Sequence, residues 1–459
     1  MIKYFFDNSN EPLNLDNIKK IYCNRCWVDE KLQPATICFE KNIITEIYFK
    51  KLSDAEDAGD NILMPGIIDA HVHINEPGRT DWEGFDTATQ AAAAGGITTL
   101  VDMPLNASPV TTSAKSFAEK IMAAENKLNV NCGFYGGLIP GNTAELEGLI
   151  KAGVFGIKCF LTHSGIEEFP NVTEKDLDEA MPVIAQYNIP LLAHCEIFDK
   201  EVECGFSKNP TSYQHFLASR PKHWENDAID LMIRLCRKHK CPVHIVHVSS
   251  AEALTQIQEA KEEGLPVTAE TCAHYIYFNA GEIPDAGCIY KCAPPIREKE
   301  NNTLLKQALV KGLLNFITTD HSPAPPSIKE IETGNLQKAW GGIAGLQFLL
   351  PASWTSLKNT ISLEKFIPLI TENPASFLKM NFKKGKIKVG YHADFVIWDP
   401  NEKRKVSKED ILFRHKISPY IGEELFGVVH QTIVNGETVF KNNKLIRRNA
   451  GQVLLTKES

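Results

Sequence analysis

The chain has 459 residues, 43% of them hydrophobic and 23% charged, with a formal net charge of -8. That balance supports a sizeable core and argues against disorder as a dominant feature. Lys and Arg are scattered rather than gathered in runs, so nucleic-acid and anionic-membrane binding get no electrostatic support.

The opening MIKYFFDNSNEP has too short an apolar stretch for a signal-peptide core, and no small-residue cleavage site follows. Nowhere do about 18 apolar residues run together, so no membrane span is expected. Without a secretion signal, the twelve cysteines read as reduced thiols and a cytoplasmic location is expected. Cys23 and Cys26 form a lone CxxC. No second ligand pair is suitably placed for zinc, so both read as strand residues with free thiols.

Residues 1–63 are β-rich, with aromatic and β-branched residues in short runs such as ATICFEKNIITEIYF. From 64 to 385 the rhythm changes. Short apolar runs are followed by helical stretches: ITTLVDMP by SAKSFAEKIMAAENK, VFGIKCFL by TEKDLDEAMPVIAQY, PVHIVHVS by AEALTQIQEAKEEG. This alternation predicts parallel βαβ units, and about eight of them suit an α/β TIM barrel better than an open sheet. Residues 386–459 return to strands, with Asn435-Gly436 as a hairpin signal. Two β-rich ends around a barrel suggest that both termini build one small sheet domain.

In a barrel, the C-terminal strand ends form the active-site face. His71 and His73 follow MPGIIDA, and alternate strand residues point to one side, so both imidazoles can reach one metal. A lone HxH is a weak signal, since surface histidines can give the same pattern. Lys158 lies within VFGIKCFL, where a lone ammonium is costly unless it is paired, modified or turned outward. As a carbamate it could bridge two ions with two oxygens. His194 ends IPLLAHCE, and Asp320 ends NFITTDHSP. His244 and His247 are three apart on one run, so alternation lets only one face the site, and the terminal His247 is the better choice. Each residue alone could be an ordinary core or loop group. Together, at successive run ends, they favour metal catalysis.

At this point the sequence resembles the cyclic amidohydrolases: dihydroorotase, hydantoinase (dihydropyrimidinase) and allantoinase. The matching segments are MPGIIDAHVHINEPG, AAAAGGITTLVDMP, GIKCF, AHCE, VHIVHVSS, AETCAHY, CAPPIR, TTDHSP, ENPA and GKIKVGYHADFVIWDP, in the family's order. The resemblance implies a TIM barrel with a small β-sandwich from both chain ends, a homotetramer, and two divalent ions per subunit. By matched position, His71 and His73 resemble the ligands of the more buried metal, and His194 and His247 those of the second. Lys158 resembles the N6-carboxylated bridging lysine. Asp320 resembles the aspartate that binds metal and shuttles a proton while a metal-bridged hydroxide attacks the ring. Histidine and oxygen donors suit Zn2+ first, with Co2+, Mn2+ or Fe2+ as alternatives.

FYGGLIPGN, CFLTHSGIEEFPNV, FLASRPKHWE and LQKAWGGIAGLQ lean towards the allantoinase branch, which implies allantoin as substrate. Dihydroorotases of this type usually carry a carboxylate-binding arginine where this chain has Asn75. Ala273 and Ala293 depart from the family's usual proline and serine. His163 and Ser164 read either as contacts to the ureido group or as loop-stabilising residues. Asn106 could hold substrate or cap a turn, Ser322 could contact the ring or form a turn, and His321 could support a ligand. The AAAAGG stretch reads as helix packing and a C-terminal stop, not phosphate binding. The competing readings are hydantoinase, dihydroorotase, and a scaffolding relative that has lost its ligands.

Overall fold

The computed structural model describes residues 18–198 and 209–456; the opening MIKYFFDNSNEP lies outside them. The apolar runs of the central segment fold as strands at Ile67–Val72, Ile97–Asp102, Asn131–Phe134, Ile157–Phe160, Leu191–His194, Val243–Ile245, Val267–Cys272 and Phe316–Thr318. Nearly every residue in them is buried, as parallel strands covered on both faces require. They pair in parallel in chain order, as two arcs. Gly136–Gly137 continues the third strand past Tyr135 and pairs with the fourth, and a parallel bridge between Val72 and His321 closes the circle. The product is an α/β barrel of the TIM type.

The helical stretches behave as their end signals predict. Ser113 caps Ala114–Ala124, and Thr173 caps Glu174–Gln186 with a reciprocal bond to Asp176. The AAAAGG segment is the helix Phe85–Ala94 stopped by Gly95, where an added Cβ would lie 2.7 Å from the Gln347 carbonyl oxygen. A buried ion pair, Lys120 to Asp102 at 2.5 Å, pins the second strand's end, and Asp102 also accepts from the Ile74 amide at 2.8 Å.

Both chain ends contribute to one nine-stranded sheet. Lys19–Val28, Lys31–Glu40 and Ile43–Tyr48 come from the front, and Phe395–Lys405, Glu424–Val434, Glu437–Lys441 and Lys444–Leu445 from the back. The joint is Ile62–Pro65, which pairs antiparallel with Phe395–Trp398 and spans the expected boundary at 63/64. Asn435 and Gly436 turn with φ 51 and 77, the left-handed pair of a tight hairpin. Cys23 and Cys26 sit in the first of these strands as buried free thiols. Residues 449–456 then run back to the barrel, where the Cys132 amide donates to the Gln452 carbonyl and Leu454 to that of Cys132.

Candidate metal centre and active site

The first barrel strand delivers His71 on its last turn of pleat and His73 just beyond it. Both rings point their Nε2 atoms at Asp320 Oδ1, at 3.2 and 3.3 Å. His71 Nδ1 lies 2.6 Å from Glu270 Oε1 on the seventh strand, whose other oxygen is 3.2 Å from His244 Nε2. A carboxylate on Nδ1 fixes the tautomer that leaves the Nε2 lone pair facing the site. Burial opposes charge on Glu270, but the two histidines outweigh it and hold its pKa down to about 2. His73 is kept neutral by burial, its pKa lowered to about 4, and the Asn106 amide lies 3.4 Å from its Nδ1. Burial raises the Asp320 pKa, but its contacts with His71, His73 and His247 push it well below the usual carboxylate range. His71, His73 and Asp320 offer one donor atom each within 4.8 Å of one another.

A second pair faces them. His194 Nδ1 and His247 Nε2 are 3.0 Å apart. His194 Nε2 is 2.8 Å from Glu196 Oε2, and Arg220 holds that carboxylate at 2.5 Å. The outer nitrogen of His194 is thus committed, and its lone pair turns to His247. Burial lowers the pKa of both rings, leaving them in the neutral form that binds metal. The ring centroids of His71 and His247 are 5.5 Å apart, so the two pairs form one cluster.

Lys158, in the fourth strand, is wholly buried. Its Nζ has no hydrogen-bond partner among the described residues and sits 4.8 Å from the Phe160 ring centroid. Burial depresses its pKa to about 8. Imidazoles held neutral by burial and converging with a carboxylate are the donor set of a cation-binding centre, and the buried Lys158 amine beside them has no partner among the described residues. His247 and Asp320 adopt left-handed backbone, φ 41 and 43, and Asn106 has φ 61. Such conformations cost on the order of 1 kcal/mol or more and cluster at functional sites.

All six sequence-predicted metal ligands line one cavity of about 760 Å³, as do Asn106, His163, Ser164 and Ser322. That volume has room for a small ring and water. Ser164 spends its hydroxyl on the Phe169 carbonyl at 2.6 Å, and His163 Nδ1 accepts from the Gly165 amide at 3.1 Å, so both also brace their loop. Ser322 Oγ accepts from the Trp340 indole at 3.4 Å. His321 supports the site through its backbone, accepting from the His73 amide at 2.8 Å. Asn75 is buried, with its amide on the Pro323 carbonyl. Ala293 lines the cavity, whereas Ala273 opens the helix Ala273–Tyr277. Sequence reasoning missed Glu270, Glu196, Arg220 and Trp340. The two glutamates stand in the quoted segments AETCAHY and AHCE, and a carboxylate that orients a ligand histidine is a readable signal once the strands' order is known.

The model of the amidohydrolase family matches residues 62–439. The chain belongs to that family. Its relatives include the allantoinase of Arabidopsis thaliana, 43% identical over 84% of this chain and 79% of that one. The allantoinase of Saccharomyces cerevisiae is 40% identical over 90% of each. Among solved structures, the L-hydantoinase (dihydropyrimidinase) from Arthrobacter aurescens matches with a TM-score of 0.89 and 29% identity, covering 95% of this chain and 99% of that one.

Proposed function

We propose that this protein is an allantoinase: a metal-dependent cyclic amidohydrolase that opens the hydantoin ring of allantoin to allantoate. The observation that carries the chemistry is the convergence of His71, His73, Lys158, His194, His247 and Asp320 on one cavity. The substrate reading rests on relatives named allantoinase at 40–43% identity over most of the chain. Retention of all six positions also counts against a non-catalytic scaffold.

His71, His73 and Asp320 would hold one ion and His194 and His247 the other, with carboxylated Lys158 bridging them. When bound, two such ions would supply the acidification of a water and the polarisation of a carbonyl. Zn2+ suits this donor set best; Co2+, Mn2+ or Fe2+ would fit it too. The chain's own part is to place and move a proton. Asp320, ionised at the cavity floor, accepts the proton of the attacking water and passes it to the departing ring nitrogen, acting as base and then acid. Glu270 and Glu196 hold His71 and His194 in one tautomer through the cycle. Asn75, buried and uncharged, offers no cation for a ring carboxylate, which favours allantoin over dihydroorotate.

We assign the barrel at 64–385 as the catalytic domain, and the described parts of 1–63 and 386–459 as the small β-domain, read from the family resemblance as a sandwich. Buried free cysteines support a cytoplasmic location, and no described helix is long and apolar enough to cross a membrane. The family resemblance supports a homotetramer. The deciding experiment assays metal-loaded enzyme on allantoin, hydantoin, dihydrouracil and dihydroorotate. Allantoin should give the highest kcat/KM, and a preference for another ring would replace this substrate.

A further inference from the structure

Part of the cavity wall comes from Lys291 and Ala293 on one loop and from Ile328, Trp340 and Gly341 on another. Next to Ile328 lies a residue the reaction does not use. Lys329 is only 4% exposed, yet it carries an amine into the protein. Its Nζ donates to the carbonyls of Lys291 at 2.9 Å and Trp340 at 3.0 Å, and to that of Gly342. These bonds use all three ammonium donors. Among the described residues no carboxylate pairs with it, and burial pushes its pKa down to about 7. A buried amine met only by carbonyl dipoles is a costly device, so the loops it ties together matter.

The tie is reinforced from the other side. The Gly342 amide donates to the Lys291 carbonyl at 2.9 Å, and Lys291 Nζ donates to the Ala339 carbonyl at 2.5 Å. Between these bonds stands Trp340, where three further elements meet. Its indole N–H reaches Ser322, and its ring meets Trp82 edge-on at 4.9 Å. At Gly165 an added Cβ would come within 3.0 Å of the same ring.

We propose that Lys329 is a positioning residue: its ammonium fixes the Trp340–Gly342 backbone, and thereby the aromatic wall that receives the ring substrate. The inference rests on the allantoinase reading for the substrate but not for the wall. Lys329 touches none of the proposed metal ligands, so its loss should leave metal content and the chemical step largely in place.

The test uses full-length, metal-loaded enzyme. Lys329→Met keeps the apolar stem and removes the donors. It is expected to raise KM about tenfold or more while kcat stays within about threefold, because misplaced binding walls weaken substrate capture before they weaken proton transfer. Metal content should match the parent. Trp340→Phe should raise KM as well, and the double variant should be no worse than the worse single, since both act through one group. If Lys329→Met does not fold, Lys329→Gln, which retains two N–H donors, is measured in its place, with a smaller rise expected. Parent-like KM in whichever variant folds overturns the proposal. So does a fall in kcat at constant KM, or additive effects in the double variant. If the parent opens hydantoin or dihydrouracil but not allantoin, the substrate reading fails and the Lys329 comparison is made on the ring it does open.

Discussion

The two halves of the proposed metal site are built differently. In the half formed by His71, His73 and Asp320, polar atoms of the protein meet one another: Glu270 and Asn106 face the outer ring nitrogens, and Asp320 faces both inner ones. In the other half, His194 is braced by Glu196, but His247 Nδ1 has no partner among the described residues. There two nitrogens of neutral rings, His194 Nδ1 and His247 Nε2, stand 3.0 Å apart with no carboxylate between them. The first half carries its own negative charge and is organised by protein contacts alone. The second offers neutral imidazole nitrogens, one of them without a protein partner among the described residues. Preorganisation and ligand charge should therefore make the first ion the tighter one.

The comparison is broken most forcefully by removing a histidine from each half. The parent should hold about two ions per chain, as two-metal hydrolases do. His71→Ala should lose both ions and all measurable activity, whereas His194→Ala should lose activity but keep close to one ion. Elemental analysis of the two variants on matched preparations decides it; equal metal loss would mean that the halves do not differ. Lys158→Ala is expected to act on both halves by removing their bridge. Metal content and turnover should fall together, and a short-chain acid such as acetate should partly restore them. An unmodified Lys158 in an active, metal-loaded structure would contradict the carbamate.

Asp320→Asn separates proton transfer from ligation. An amide keeps one oxygen donor but accepts no proton at neutral pH. A loss of about 10²–10⁴ in kcat is expected, with smaller changes in metal content and KM. Parent-rate turnover with both ions bound would remove Asp320 as the proton shuttle. The smallest effect is expected from the bracing carboxylates. Glu270→Gln and Glu196→Gln should each weaken metal affinity by about 10–100-fold. Competition with a graded chelator should show Glu270→Gln loosening the tighter ion and Glu196→Gln the weaker one.

Much of this was legible in the sequence because barrel geometry converts run ends into neighbours. His71, His73, Lys158, His194, His247 and Asp320 are spread across the chain, yet all sit at strand ends that open on one cavity. His247, not His244, lines the cavity, and alternation along the strand is not the reason. The strand stops at Ile245, and a left-handed turn at His247, not simple alternation, aims its ring at His194. His244 points elsewhere, stacking on Phe316 at 5.2 Å and holding Glu270. What stayed hidden were groups whose role depends on which strands are adjacent. Glu270 braces a histidine far back in the chain, and Lys329 acts only through carbonyls of two loops. No spacing rule announces either one.

The strand Ile62–Pro65 has a consequence for how the protein is made. It is made before the barrel, yet its antiparallel partner Phe395–Trp398 follows the whole barrel. At about 5–20 residues per second, the nascent chain carries this open edge for on the order of tens of seconds. An exposed edge of Ile62, Leu63 and Met64 is a template for pairing with another chain. Synthesis thus passes through an interval in which the barrel can close while the sheet beside it cannot, and chaperone capture during that interval would favour the yield of native enzyme.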